Sequence, residues 1–292
     1  QLVSINTARF DVTKHRATAV ISDAKIGLKQ LSNALDDWKA PDTWYQKSIN
    51  ERNEWDAYVE KQSGPTNQEL PSYAHAVGAI YRNADPSDIV VTAAGGLVGE
   101  VVQIWKPKQI NTFETEWGFS CMGYEISGAL GIKMAKPDKD IIVFIGDGSY
   151  LLQNSDIYSS VIYDKKLIIV VCDNSGHMVI NRLQLAKGGK EYLCGLKTSR
   201  ASNFVEVDFA AHAKSMGAES ETVTSTSELE VAFKRAKESK KTYVIVIKTH
   251  GYEWLEGTAF WESPTLEVHT TDENKKAYAE HLDGKNKQRK GV

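Results

Sequence analysis

An aspartate stands between two glycines at Gly146-Asp147-Gly148, directly after the apolar run IIVFI at 141–145. An unbroken apolar run of that length suits a strand buried on both faces. In an open α/β sheet, ligands sit beyond the carboxyl ends of such strands, and flanking glycines let backbone approach a ligand closely. From Ser149 onward the pattern starts a helix, whose free N–H groups favour an anion, phosphate above all. A carboxylate beside a phosphate cradle is electrostatically wrong unless a cation lies between them. Mg2+ resolves the conflict, because it takes carboxylate and carbonyl oxygens together with phosphate oxygens.

A second oxygen donor follows the next apolar run. In VVCDNSG, Asn174 stands 27 residues after Asp147, which leaves room for one helix and one strand. Both strand ends can therefore open on the same edge of a sheet. Asn174 would supply an amide oxygen, and a nearby backbone carbonyl such as that of Gly176 a third ligand. A lone GDG is also a tight turn with its Asp as a helix N-cap; the Asp-Asn pair after the next strand favours the metal. Other phosphate-binding patterns fail on spacing, since there is no GxxxxGK[ST] and AAGGLVGE is not GxGxxG.

The elements that must position these groups follow from periodicity. Short strands are expected at 2–6 and 18–22, then a helix over 23–35 with Ile26, Leu28, Leu31 and Leu35 as its apolar positions. A polar, Pro-broken connection follows, with one helix around 42–61. Beyond Pro71 helices at 72–83, about 121–135, about 151–163, 207–216 and 227–239 alternate with strands at 88–96, 141–145, 167–171 and 243–247. Ser225 with Glu228, or Ser227 with Glu230, can cap the last of these helices. The alternation predicts a doubly wound, mainly parallel α/β domain over roughly 66–250. Segments 1–38 and 39–65 read as the end of a preceding domain and a linker, and 251–292 as an extension ending in a charged, solvated helix.

Composition narrows the partners. The chain has 292 residues and a net charge of −3, so neither nucleic acid nor an anionic membrane surface is expected. No apolar run approaches the ~20 residues needed to span a bilayer. Cys121, Cys172 and Cys194 are too scattered for a disulfide framework or a CxxC metal site, and each is expected to be a small buried apolar residue. A reducing cytoplasm is the default compartment.

GDGS followed by about 25 residues and an Asp-Asn pair resembles the signature of the thiamin-diphosphate-dependent enzyme superfamily. EWGFSCMGYEISGALGIKMA resembles the segment that precedes the motif there. The longer string, from VVTAAGGLVGEVVQIWKP through DNSGHMVINRLQ to GYEWLEG, is similar to one subfamily, the trihydroxycyclohexane-1,2-dione hydrolases of inositol breakdown. The resemblance covers about 1–265. It implies that Asp147, Asn174 and the Gly176 carbonyl hold Mg2+, and that Gly146, Gly148 and Ser149, with Gly95 and Gly96, surround the diphosphate. It places Met122 as the apolar wedge between the cofactor's two rings, and the Ser120 carbonyl as acceptor for the pyrimidine amino group. His177 and Glu116 are the candidates for moving protons; His75 and His250 are expected to be surface or core residues. The aromatic run GYEWLEGTAFWE, 251–262, could form a lid or pack on the sheet.

In that superfamily the glutamate that activates the pyrimidine belongs to a separate domain, and the site forms between subunits. The chain opens inside a strand-like stretch without an initiator Met. It is therefore expected to be the diphosphate-binding portion of something longer, inactive alone and associating as a homodimer or homotetramer. The substrate implied is a small cyclic 1,2-dione. A carboligase or 2-oxoacid decarboxylase with the same half-site, and a non-catalytic assembly module, stand as alternatives.

Overall fold

The computed structural model of the chain describes residues 2–198, 205–257 and 265–288. They fall into two compact units, Gln1–Trp55 with Ala279–Val292, and Asp56–Tyr278.

In the first unit β1 (Val3–Asn6) pairs in parallel with β2 (Thr18–Ile21), with a short helix α1 (Arg9–Val12) between them. Helix α2 (Ala24–Leu35) is capped by Asp23, whose side chain accepts from the Ile26 N–H. It crosses β1 at Gly27, where a Cβ would lie 2.8 Å from Ile5. Its four apolar positions, Ile26, Leu28, Leu31 and Leu35, are all exposed. A two-stranded sheet has too little surface to cover them. Helix α3 (Asp42–Ser63) runs on from there.

The second unit carries α4 (Tyr73–Asn83), β3 (Ile89–Thr92), α5 (Gly95–Ile104), β4 (Phe113–Thr115), α6 (Tyr124–Ala135) and β5 (Ile141–Gly146). It continues with α7 (Asp147–Leu152), α8 (Asp156–Ile162), β6 (Ile168–Asp173), α9 (Met178–Ala186) and α10 (Phe209–Ser215). It closes with β7 (Glu219–Val223), α11 (Thr226–Glu238), β8 (Tyr243–Lys248) and most of α12 (Asp272–Lys287). Six strands form one parallel sheet in the order β4-β3-β5-β6-β8-β7. The expected doubly wound architecture is therefore what the chain adopts. Successive side chains of β5, β6 and β8 point to opposite faces and are buried on both. Ile141, Val143, Ile145, Ile169 and Val171 pack with α6, α7, α8 and α10. Helices α4, α5 and α11 cover the other face, where Trp105 meets Phe144 edge-on at 6.0 Å.

Within the second unit four elements carry too weak a signal to be expected from the sequence: α5, β4, α9 and β7. Strand β4 is three residues long, and β7 is a largely polar edge strand, ESETV. The helix expected over 151–163 is two helices, broken where Gln153 turns extended. Gln153 packs on Gly123, where a Cβ would come within 2.3 Å of it. Of the cysteines expected to be buried, only Cys172 is; Cys121 is exposed and Cys194 partly so. The Ser225 cap is the one used, accepting from the Glu228 N–H. His75 completes a capping box with Ser72 at the start of α4. His250 accepts from the Tyr252 N–H.

Topology decides where a ligand can sit. The chain leaves β3 for the edge strand β4, then returns to β5 on the other side of β3. That reversal opens a crevice at the carboxyl ends of β3 and β5.

Candidate functional site

Gly95 and Gly96 follow β3 and begin α5, while Gly146 ends β5 and Asp147, Gly148 and Ser149 begin α7. Together they line one cavity of ≈ 390 Å3 at that crevice. Ser120, Met122, Gly176 and His177 line it as well, so ten of the twelve expected site residues share one wall. Strands β5 and β6 run side by side, with Gly146 opposite Cys172. This register brings the ends that carry Asp147 and Asn174 together.

Asp147 is 1% exposed. Its Oδ2 accepts the Gly176 N–H at 2.6 Å. Burial, then the neighbouring Asp173 carboxylate, push its pKa up to about 7, against the N–H groups of Gly176 and Gly148. Asp173 itself is paired with Lys248 at 2.6 Å. The loop after β6 is held from the other side, since the N–H groups of His177 and Leu196 donate to the carbonyls of Cys194 and Ser175. Gly176 has φ +155, and a Cβ there would lie 2.4 Å from the Cys194 carbonyl oxygen, so only glycine fits.

Asn174 is not on this cavity's wall, but its amide stands beside Asp147 and Gly176, which are. One terminal atom of its amide is 2.6 Å from the Tyr73 hydroxyl; the other is 3.3 Å from Asp147 Oδ1 and 2.9 Å from the Gly176 carbonyl oxygen. With the oxygen on the inner side, three oxygens face one another with no hydrogen between them. Neighbouring ligands of an octahedral Mg2+, at about 2.1 Å from the metal, stand about 3 Å apart. The donor set and its spacing fit that ion. The glycines fit a diphosphate: Gly95 has φ +77 with open space where a Cβ would project, and a Cβ on Gly148 would collide with the His177 ring at 2.6 Å. First-turn N–H groups of α5 have no partner within the helix, and Gly95, Gly96 and Leu97 of that turn line the cavity.

Glu116 is not on the cavity wall. Its carboxylate accepts the N–H groups of Phe119 at 2.9 Å and Cys121 at 2.7 Å. These bonds, that from Cys121 foremost, hold its pKa below the ordinary value. The turn it organises presents Ser120, at φ +52, and Met122 to the cavity.

Three further residues surround the site without any motif. Tyr73 bonds Asn174 as above; burial, then Asp147, raise its phenol pKa well above the usual range. Glu125, 1% exposed, accepts from Ala94 N at 3.2 Å and Gly123 N at 2.8 Å, which ties the β3–α5 turn to the Met122 segment. An acid inside the apolar stretch GYEISGALG is the signal that could have found it. Glu100 is buried in α5, where its Oε1 accepts the Leu255 N–H at 2.9 Å. Of the aromatic run 251–262, Trp254 stacks under Arg182 at 4.0 Å; residues from 258 lie outside the described residues.

The family described as "Thiamine pyrophosphate enzyme, C-terminal TPP binding domain" matches residues 93–247, more than half of the chain. The 3D-(3,5/4)-trihydroxycyclohexane-1,2-dione hydrolase of Lacticaseibacillus casei is 33% identical over 95% of this chain and 47% of its own length. That of Halalkalibacterium halodurans is 32% identical over the same shares. The chain thus spans about half the length of the curated relatives it matches. Among solved structures, the thiamine diphosphate-dependent 4-hydroxybenzoylformate decarboxylase of Rhodococcus jostii RHA1 superposes with a TM-score of 0.56 at 17% identity, over 63% of this chain and 34% of that one. That likeness shows the fold. By the family match and the site it encloses, the chain belongs to the thiamine pyrophosphate enzymes, of which it carries the C-terminal TPP-binding domain.

Proposed function

We propose that this chain forms the diphosphate- and Mg2+-binding half of an active site that hydrolyses a C–C bond of a cyclic 1,2-dione in inositol breakdown. The observation that carries the cofactor reading is the convergence of Asp147, Asn174 and the Gly176 carbonyl beside a glycine-lined crevice. The substrate reading is supported by the name of the relatives, which the chain matches over 95% of its length.

Bound thiamin diphosphate supplies an electron sink for negative charge developing on a carbon beside a carbonyl. The chain's own residues hold and orient. Asp147, Asn174 and the Gly176 carbonyl would hold Mg2+. Backbone N–H groups of Gly148 and Ser149, with those of Gly95 and Gly96, would meet the diphosphate. Met122, on the cavity wall, would be the apolar support for the cofactor's rings, and the Ser120 carbonyl would accept from the pyrimidine amino group. We assign proton movement to His177, which lines the cavity, rather than to Glu116, whose oxygens are both engaged by backbone N–H groups. The group that activates the pyrimidine is assigned to a second domain or subunit, within a cytoplasmic homodimer or homotetramer.

The full-length protein, given Mg2+ and thiamin diphosphate, is expected to consume the cyclic dione and water and release a linear acid. Consumption of pyruvate instead would move the reading to a carboligase or decarboxylase. Asp147→Ala is expected to weaken Mg2+-dependent binding of thiamin diphosphate, by titration calorimetry, at least about tenfold. Unchanged affinity would remove the metal site from the account.

A further inference from the structure

The two ends of the Asn174 amide face different chemistry. On the inner side stand Asp147 Oδ1 and the Gly176 carbonyl oxygen, at 3.3 and 2.9 Å, both acceptors. On the outer side stands the Tyr73 hydroxyl alone, at 2.6 Å. With no cation in the gap, the amide NH2 belongs on the inner side, where it donates to both acceptors, and the outer oxygen takes the Tyr73 O–H. With a cation in the gap the oxygen must face inward, and the NH2 then donates to Tyr73. A hydroxyl serves both arrangements because it can donate or accept. An ionised carboxylate at position 73 could only accept, and an ammonium could only donate.

We propose that Tyr73 is a positioning residue of the metal site: its hydroxyl pairs with the outer end of the Asn174 amide in either orientation, so that the amide oxygen can turn to a cation while the NH2 keeps a partner. The proposal rests on the metal-site reading above. Tyr73 is suited to the part because its ring is anchored independently of that bond. A Cβ built on Gly96 would lie 3.9 Å from the Tyr73 ring, and one on Gly146 3.7 Å from its hydroxyl, so the ring lies against the first glycine turn of the cavity and the hydroxyl against the second. Its hydroxyl also comes from α4, an element separate from the strands that carry the ligands. The amide is thereby referenced to a frame that cation binding does not need to move.

The test uses Mn2+ as the probe, in the full-length protein with saturating thiamin diphosphate, reading the free ion by electron paramagnetic resonance. Tyr73→Phe keeps the ring and removes the pivot. It is expected to weaken Mn2+ binding about tenfold while leaving the melting temperature of the cation-free protein within a few degrees of the parent. Asn174→Asp presents an oxygen at either end, so orientation no longer matters. In that background the Tyr73→Phe penalty is expected to shrink to about twofold or less. A penalty of equal size in both backgrounds, or none in the parent, overturns the role of Tyr73. Asp147→Ala separates the two readings: if it leaves Mn2+ affinity intact, the metal site itself fails, whereas lost affinity there with an unaffected Tyr73→Phe refutes only the positioning role.

Discussion

Glu100 is 2% exposed, and its Oε2 has no partner among the described residues. Burial raises its pKa to about 7 from an ordinary 4.5, against the opposing Leu255 N–H and Arg182 charge. Folding therefore takes up a proton between those values. The stability that this carboxyl contributes is complete below pH 4.5 and is lost as the pH rises through 7, a swing of roughly 3 kcal/mol. Glu100→Gln mimics the protonated form. It should match the parent melting temperature near pH 5 and exceed it at pH 8, and a parent–variant difference that stays constant with pH would contradict this. Individual residues were legible in the sequence where they sit in a local pattern. Asp147 and Asn174 each follow a buried strand and lie in short, distinctive strings. Tyr73 is 101 residues from the amide it bonds. Nothing in YAHAVGAIYRN separates it from any other aromatic on a helix that packs on a sheet.

At the scale of elements, the sheet is clamped at its amino edge by Lys237, with Lys166 also pairing Asp140 at 3.3 Å. Lys237, in the last turn of α11, reaches Asp88 Oδ1 at 2.7 Å and Asp85 and Asp140 at 2.9 Å, just before β3 and β5. Asp88 is nearly fully buried, and desolvation raises its pKa despite the lysine. Lys237→Met would leave the buried Asp88 carboxylate without its cation, beside a partly exposed Asp140 that keeps only Lys166. A loss of about 3–5 kcal/mol in denaturant unfolding is expected; a loss below about 1 kcal/mol would mean the cluster behaves as an exposed surface pair. The buried strands β5, β6 and β8 were legible as apolar runs with no alternation. The edge strands were not, because β7 meets solvent and β4 is too short to show a period. Helix α5 was not legible, since GGLVGEVVQI is glycine-rich at its start and apolar on nearly every side; only its first two residues fall within the strand expected over 88–96.

At the scale of the molecule, the chain matches relatives about twice its length. We expect the 292-residue polypeptide alone to bind thiamin diphosphate weakly and to show no turnover. Titration calorimetry with and without Mg2+, beside an assay on the cyclic dione, checks both. Turnover at the rate of the full-length protein would show that this chain completes the site without a second domain.

The sequence by itself determined the class of the fold and the cofactor chemistry. Strand burial and the GDG and DN strings are local properties, written in consecutive residues. It also marked ten residues of the cavity wall, Asp147 and its glycines through their place at a strand end and others, such as Ser120 and Met122, through the family resemblance of their segment. Only the tertiary structure decided that Glu116 holds a turn instead of facing the cavity, and that Glu125 ties two cradle segments together. It alone brought Tyr73 to Asn174. Those are meetings between side chains far apart in the chain, set by which strands neighbour which, and no periodicity in a single element encodes them.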